Sequence, residues 1–269
     1  MSGAERIAEA FAAARAEGRA ALMPYMMAGF PEAATSAAVA DVYAEHADLI
    51  EFGVPFSDPL ADGPVIHAAA TRSLAAGTTF ASALELAAAI APRVPVVAMV
   101  YANMVVSRGA GAFAQALAEA GLCGVIVPDL PPEEAGELRA ELGRRGLAFV
   151  PLVAPTTPPA RRRAICAEAE GFVYVVSDTR TTGEREELPP ALGELVGAVR
   201  ADAPVPAAVG FGISTPEQVA TAGRIADGVI VGSRLVRAVA EADGSRSAAQ
   251  ACRDFLVDAR EALVARAIR

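Results

Sequence analysis

Short apolar runs rich in Val, Ile and Phe recur along the chain, separated by Ala-rich segments of helical length that carry charge on one face. The runs ALMPYMMA (21–28), DLIEF (48–52), VPVVAMVY (94–101), GVIV (124–127), AFVPLV (148–153), FVYVV (172–176), VPAAVG (205–210) and GVIV (228–231) predict eight strands. Near-continuous apolar strands belong to parallel sheets covered by helices. Each run is followed by a helical pattern, such as EAATSAAVADVYAEH (32–46), PEEAGELRAELGRRG (132–146), PPARRRAICAEAEG (158–171) and TPEQVATAG (215–223). Eight such units match the α/β class and a (β/α)8 TIM barrel, which takes about 250 residues. A doubly wound open sheet is the alternative, although it usually stops at about five or six strands. The opening MSGAERIAEAFAAARAEG reads as an extra amphipathic helix over 3–17, expected to cover the barrel's N-terminal end. No Pro/Ser-rich linker divides the chain, so residues 1–269 are expected to form one domain.

Composition narrows the function. Of 269 residues, 54% are hydrophobic, enough to bury a full core, and the net charge is −9. A broad electrostatic grip on nucleic acid or an anionic membrane is not expected from an acidic chain. The N-terminus lacks a signal peptide's apolar core and no apolar run reaches membrane-spanning length, so a cytoplasmic protein is expected. Cys123, Cys166 and Cys252 form no CxxC and read as buried, inert thiols. All 23 basic residues are arginine, which removes Schiff-base chemistry by a lysine side chain and any phosphate loop that needs Lys. The two histidines, His46 and His67, fit no metal-ligand motif, and His67 reads as a helix-face residue. No metal is expected. Chemistry falls to carboxylates, hydroxyls, arginine and backbone groups.

In a barrel of this kind the loops after the strands build the active site. Two of them read VGFGIST and VGSRL, where Gly212, Gly232 and Ser233 can offer backbone N–H groups to a phosphate; the alternative is that these glycines only turn the chain. The stretch IEFGVPFSDPLADGP (50–64) carries three carboxylates where an apolar strand runs out. Glu51, facing inward in an apolar mouth, would have a raised pKa suited to acid–base work. Asp62 lies on a loop able to fold over the mouth, and Asp58 either shapes that loop or faces a partner. A structural Glu and a turn-capping Asp are the bland readings of the pair. Tyr174 is mid-strand, either core or a pocket hydroxyl. Tyr25, Val100, Tyr101, Ile126 and Phe211 offer apolar surface for a flat ligand, or are simply core. The polar segment SDTRTTGEREELPP (177–190) exceeds the usual loop length and reads as a candidate lid, or as solvated surface.

The block DLIEFGVPFSDPLADGPVIHAAATRSLAAG (48–77), with VYANMV (100–105), VIVPDLPPEE (125–134), FVYVVS (172–177), GFGISTPEQV (210–219) and VIVGSRLV (229–236), resembles the tryptophan synthase alpha subunit family across essentially the whole chain. The resemblance implies a barrel that cleaves indole-3-glycerol phosphate to indole and glyceraldehyde 3-phosphate without a cofactor. It implies Glu51 as the acid–base group, Asp62 on the indole nitrogen side and Tyr174 beside them. It further implies phosphate donors at Gly183, Gly212, Gly232 and Ser233, with the loop threonine at Thr182. The indole pocket would fall on Tyr25, Val100, Ile126 and Phe211, with Tyr25 standing where phenylalanine is expected. A beta subunit is the implied partner in an α2β2 assembly, touching Pro55, Asp58, Pro59 and Asn103. As the implied mechanism has it, Glu51 protonates the ring carbon bearing the side chain, Asp62 answers the charge at nitrogen, and Asp62 is expected in a solvated loop.

One region departs from the pattern. The segment SDTRTTG stands where the family commonly reads like SRTGVTG, so Asp178 replaces a basic residue and Arg180 a glycine. That departure motivates a stand-alone indole-3-glycerol phosphate lyase as an alternative to the biosynthetic alpha chain. A non-catalytic activator of a beta subunit is a third reading, which intact Glu51 and Asp62 argue against.

Overall fold

The computed structural model describes residues 1–176, 191–210 and 212–264. The eight expected strands are present, one of them in two pieces. They are β1 (Ala21–Met27), β2 (Ile50–Gly53), β3 (Val96–Met99), β4 (Gly124–Ile126), β5 (Ala148–Phe149), β6 (Leu152–Val153), β7 (Val173–Val176), β8 (Ala207–Gly210) and β9 (Gly228–Val231). All pairs are parallel, in the order β5-β4-β3-β2-β1-β9-β8-β7-β6. The two ends of that order belong to one strand, since only Val150 and Pro151 separate β5 from β6. The Val150 N–H donates to the Val125 carbonyl and the Pro151 carbonyl accepts from the Tyr174 N–H, both at 2.9 Å. One strand thus pairs on either side and closes the barrel, which excludes the open sheet. Pro151 brings no N–H to a ladder, so the run expected to be continuous over 148–153 is interrupted there.

Every residue of β1, β2, β3, β8 and β9 is buried, as the apolar runs demand of strands sandwiched between a packed interior and a helical ring. The helical segments are shorter than their sequence patterns. The run expected over 132–146 divides into a 3₁₀ turn at Pro132–Glu134 and a helix at Gly136–Gly143; the run over 158–171 is helical over Pro159–Ala167. The N-terminal helix, Gly3–Ala16, starts at a reciprocal cap between Ser2 and Glu5. Its Ile7, Phe11 and Ala14 are buried against the strand starts, with the Phe11 and Phe172 ring centroids 5.8 Å apart. Arg6 donates to the carbonyls of Gly121, at 3.1 Å, and of Ala91, holding the helix across the N-terminal end. All three cysteines are buried and free. Among the described residues no single helix is long and apolar enough to cross a membrane.

At the same end, Arg19 has a side chain only 1% exposed. Its two terminal nitrogens donate to Asp48 at 2.6 and 2.9 Å. Asp48 also accepts from the Leu22 N–H at 2.7 Å and from Arg260, in the helix Ser245–Val264, at 3.1 Å. One carboxylate therefore ties β1, the approach to β2 and the last helix together. Removing one partner of a buried pair strands the other charge, so Asp48→Ala is expected to lower unfolding stability by about 3–5 kcal/mol in urea titrations. A loss below about 1 kcal/mol would class the clamp with ordinary surface pairs.

Candidate active site

Alternation along β2 turns Glu51 toward the barrel interior, and the β1–β2 register sets it directly beside Tyr25. Glu51 is 2% exposed, and its Oε2 is buried with no hydrogen-bond partner among the described residues. An ionised carboxylate there would be costly, so burial, and secondarily the charge of Asp62, push its pKa up to about 8. Glu51 is a neutral acid at pH 7.

Asp62 lies on the loop that the sequence pattern implies, half-buried in it. The segment after β2 folds back over the mouth: the Asp62 N–H donates to the Pro59 carbonyl at 3.1 Å and the Ala61 N–H to the Tyr101 hydroxyl at 3.2 Å. The Phe56 and Tyr101 rings stack with centroids 5.3 Å apart. Burial raises the Asp62 pKa to about 6, opposed by a hydrogen bond from the Tyr101 hydroxyl and by His67. His67 lies on the exposed side of the helix Pro64–Ala75, in line with its helix-face reading, yet close enough to be felt electrostatically. Two carboxyl groups in one mouth thus titrate about two units apart, one protonated and one ionised at neutral pH.

Tyr25, Glu51, Asp62, Tyr174, Gly212, Gly232 and Ser233 line one central cavity of about 40 Å³. Ile66, Met99 and Ile230 complete it and were not legible as site residues. Met99 pairs in register with Gly53, a relation that emerges only when strands are aligned. Val100 and Ile126, which the sequence assigns to the indole pocket, are buried but do not line the cavity. Ile126 pairs in register with Met99, which does line it, and the Val100 N–H donates to the Ile126 carbonyl at 3.0 Å. Thr182, Gly183, Phe211, Asp178, Arg180 and the whole 177–190 segment lie outside the described residues. Of the suggested partner contacts, Asp58 and Asn103 are exposed, whereas Pro55 and Pro59 are buried within the chain.

Two glycines at strand ends make room for tyrosine hydroxyls. A Cβ at Gly53 would lie 2.1 Å from the Tyr25 hydroxyl, and one at Gly210 would lie 2.1 Å from that of Tyr174. Across the mouth, Gly212 holds φ +80°, a left-handed conformation open to glycine. The turn after it is fixed by Gln218, whose side-chain oxygen accepts from the Ser214 N–H at 2.7 Å and the Ser214 hydroxyl at 3.0 Å. Gly232 leads into the helix Ser233–Glu241, where the Leu235 and Val236 N–H groups donate to the Gly232 carbonyl at 2.9 and 3.1 Å, leaving those of Ser233 and Arg234 at the open end of the helix. A glycine-lined corner at a helix start, of the kind that can receive an anion, therefore shares the short cavity with the acid pair. A roomier groove of about 310 Å³, walled by Pro128, Pro131, Phe149 and Pro151, carries only Asp129 and Arg161 as charged groups and has no acid–base pair. Among the described residues no cluster of three or more His, Cys, Asp or Glu could hold a metal ion.

Comparison with known proteins points to one family. The family model for the tryptophan synthase alpha chain matches residues 11–264. The tryptophan synthase alpha chain of Thermosynechococcus vestitus is 44% identical over 257 residues, covering 93% of this chain and 96% of its own. The structure of Mycobacterium tuberculosis tryptophan synthase superposes with TM-score 0.87 at 38% identity, over 95% of this chain and 98% of that one. The tryptophan synthase complex from Pyrococcus furiosus gives TM-score 0.82 at 32% identity, over 89% and 97%.

The site makes stability depend on pH. The unfolded chain releases the Glu51 proton near 4.5, whereas the folded chain keeps it to about 8. The associated stability is complete below the lower value and is lost as pH rises through the upper one. Glu51→Gln cannot ionise, so its melting temperature is expected to gain on the wild type from pH 4.5 to 8, and the gain to level off above that. Calorimetric scans across this range check it; a constant difference would mean that Glu51 titrates normally.

Proposed function

We propose, from the premise that the chain belongs to the tryptophan synthase alpha chain family, that its cavity cleaves indole-3-glycerol phosphate into indole and glyceraldehyde 3-phosphate. The observation that carries the reading is the buried carboxyl of Glu51, with Oε2 unpartnered among the described residues and neutral at pH 7, beside the ionised Asp62. Breaking a carbon–carbon bond next to a hydroxyl needs somewhere for the electron pair to go, and a chain with no lysine has no Schiff base to offer. A protonated indole ring supplies that sink itself.

In this mechanism the Glu51 carboxyl gives its proton to the ring carbon that bears the glycerol chain. The resulting positive charge, centred on the ring nitrogen, is answered by the Asp62 carboxylate. Glu51, now ionised, takes the proton of the adjacent glycerol hydroxyl; the oxygen forms a carbonyl, the carbon–carbon bond breaks, and its electrons restore the aromatic ring. Glu51 ends protonated, and no cofactor is consumed. Gly212 and the N–H groups of Gly232 and Ser233 would receive the phosphate, and Tyr25, Met99 and Tyr174 would wall the ring. Thr182 and Gly183, implied by the resemblance, remain candidates for the same substrate.

We further propose a beta subunit as the partner that receives the indole, in an α2β2 assembly. Supporting it, Leu60 and Val106 stand 85% and 75% exposed on the segments after β2 and β3, beside exposed Asp58 and Asn103. Bare apolar side chains together with polar ones at the mouth suit a protein contact.

Opposite ionisation requirements give a bell. Activity in kcat/KM is expected to rise through a pH near 6, as Asp62 ionises, and to fall through a pH near 8, as Glu51 does. Glu51→Gln should retain the fold and lose roughly 10²–10⁴ in turnover. Indole release by a Glu51→Gln enzyme at more than about a tenth of the wild-type rate would overturn the acid assignment.

The phosphate corner has its own test. A Cβ at Gly232 meets Tyr25 at an ordinary 3.6 Å, so a side chain can begin there, and Gly232→Asp would place a carboxylate beside the proposed anion site. It is expected to raise KM and to abolish the thermal shift caused by inorganic phosphate. An unchanged shift would move the phosphate elsewhere.

A further inference from the structure

The register of three neighbouring strands sets a row across the site. Tyr25 on β1 pairs with Glu51 on β2, and on its other side Pro24 pairs with Val231 of β9, which brings Tyr25 level with Gly232. The Tyr25 side chain does not stay level. Its hydroxyl reaches the place that a residue-53 side chain would take, 2.1 Å from the ideal Cβ of Gly53. Residues two apart in a strand face the same way, so that place is the inward position next above Glu51 toward the mouth. Tyr25 thus lies diagonally over the Glu51 carboxyl, itself only 5% exposed, with Glu51 beneath it at 2%.

We propose that Tyr25 is a positioning residue that acts through Glu51: its ring, admitted by the missing side chain of Gly53, roofs the carboxyl against water and so keeps the proton donor loaded. The proposal rests on the acid role assigned to Glu51 above. The ring, not the hydroxyl, is the active part. Burial comes first and the Asp62 charge second among the influences on the Glu51 proton, with no hydrogen bond from Tyr25 among them. The ionisable groups facing Glu51 are Tyr25 from β1, Tyr174 from β7 and Asp62 from the loop after β2. Tyr101 and His67 bear on it only through Asp62. Of these groups, Tyr25 is the one whose ring reaches the inward position above the carboxyl.

Removing the ring opens that position to the mouth. The space left borders Asp62 and Ser233 and is polar enough to admit water, which would solvate the Glu51 carboxylate. A methyl at Gly53 should act in the same direction with Tyr25 still present, because the ring must then leave its seat.

The test follows the Glu51 side-chain carboxyl by carbon-13 NMR in glutamate-labelled protein, assigned by its loss in Glu51→Gln, alongside the pH profile of indole release. Tyr25→Ala is expected to lower the Glu51 midpoint by about one pH unit or more, toward the ordinary glutamate range. The upper limb of the rate profile should move with it. Gly53→Ala should lower both by a smaller amount, and Tyr25→Phe, which keeps the ring, should leave both midpoints where they are. An unmoved midpoint in folded Tyr25→Ala and Gly53→Ala would overturn the roof, and so would an equal drop in Tyr25→Phe. A midpoint that moves without the rate limb would sustain the roof and overturn the acid role of Glu51 instead.

Discussion

A carboxyl group taken out of water without a hydrogen-bond partner is tolerable only while it keeps its proton, and the mouth of this barrel is arranged around one such group. Glu51 sits on an inward position of β2 with an unpartnered oxygen and a side chain that solvent barely reaches. Its neutrality at pH 7 follows from position, not from a special partner. The nearby Asp62 reinforces it, since two negative charges in one small cavity disfavour each other. Asp62 yields the proton first because the Tyr101 hydroxyl and His67 favour its charged form. Acid and anion are thereby assigned to two chemically similar side chains by surroundings alone.

Holding that arrangement is the work of the rest of the fold. Parallel pairing fixes which residues share a layer, so Tyr25, Glu51 and the start of the phosphate corner are set by the same hydrogen-bond ladder. Closure through Val150 and Pro151 leaves no free edge among the strands. The Arg19–Asp48 clamp anchors the opposite end, where the starts of β1 and β2 must stay in step for Tyr25 and Glu51 to remain side by side. Stability and chemistry are divided between the two ends, as is usual in this architecture.

The barrel was legible in the sequence because strands buried on both faces leave uninterrupted apolar runs, and eight of them alternate with helical patterns. Glu51's inward place was legible because a lone carboxylate in such a run stands out, and the glycine-lined corner because glycines close two adjacent strands. Distances across the sheet were not. That Pro151 would split a strand depends on which ladder each half joins, and that Gly53 seats Tyr25 depends on a diagonal contact between strands whose sequences are 28 residues apart. The reach of Val100 and Ile126 toward a ring was not legible for the same reason: both are buried, and neither borders the small cavity. The partial burial of Asp62 was hidden because it involves Tyr101, which meets the loop only in three dimensions.

The central claim is that Glu51 is a neutral acid in the resting protein, and infrared difference spectroscopy addresses it without substrate or partner. A protonated carboxyl gives a carbonyl stretch well separated from that of a carboxylate. At pH 7 one such band should be present in the wild type and absent from Glu51→Gln, and it should vanish with a midpoint near 8. A spectrum without that band at pH 7, or one that loses it near the ordinary glutamate value of 4.5, would contradict the account.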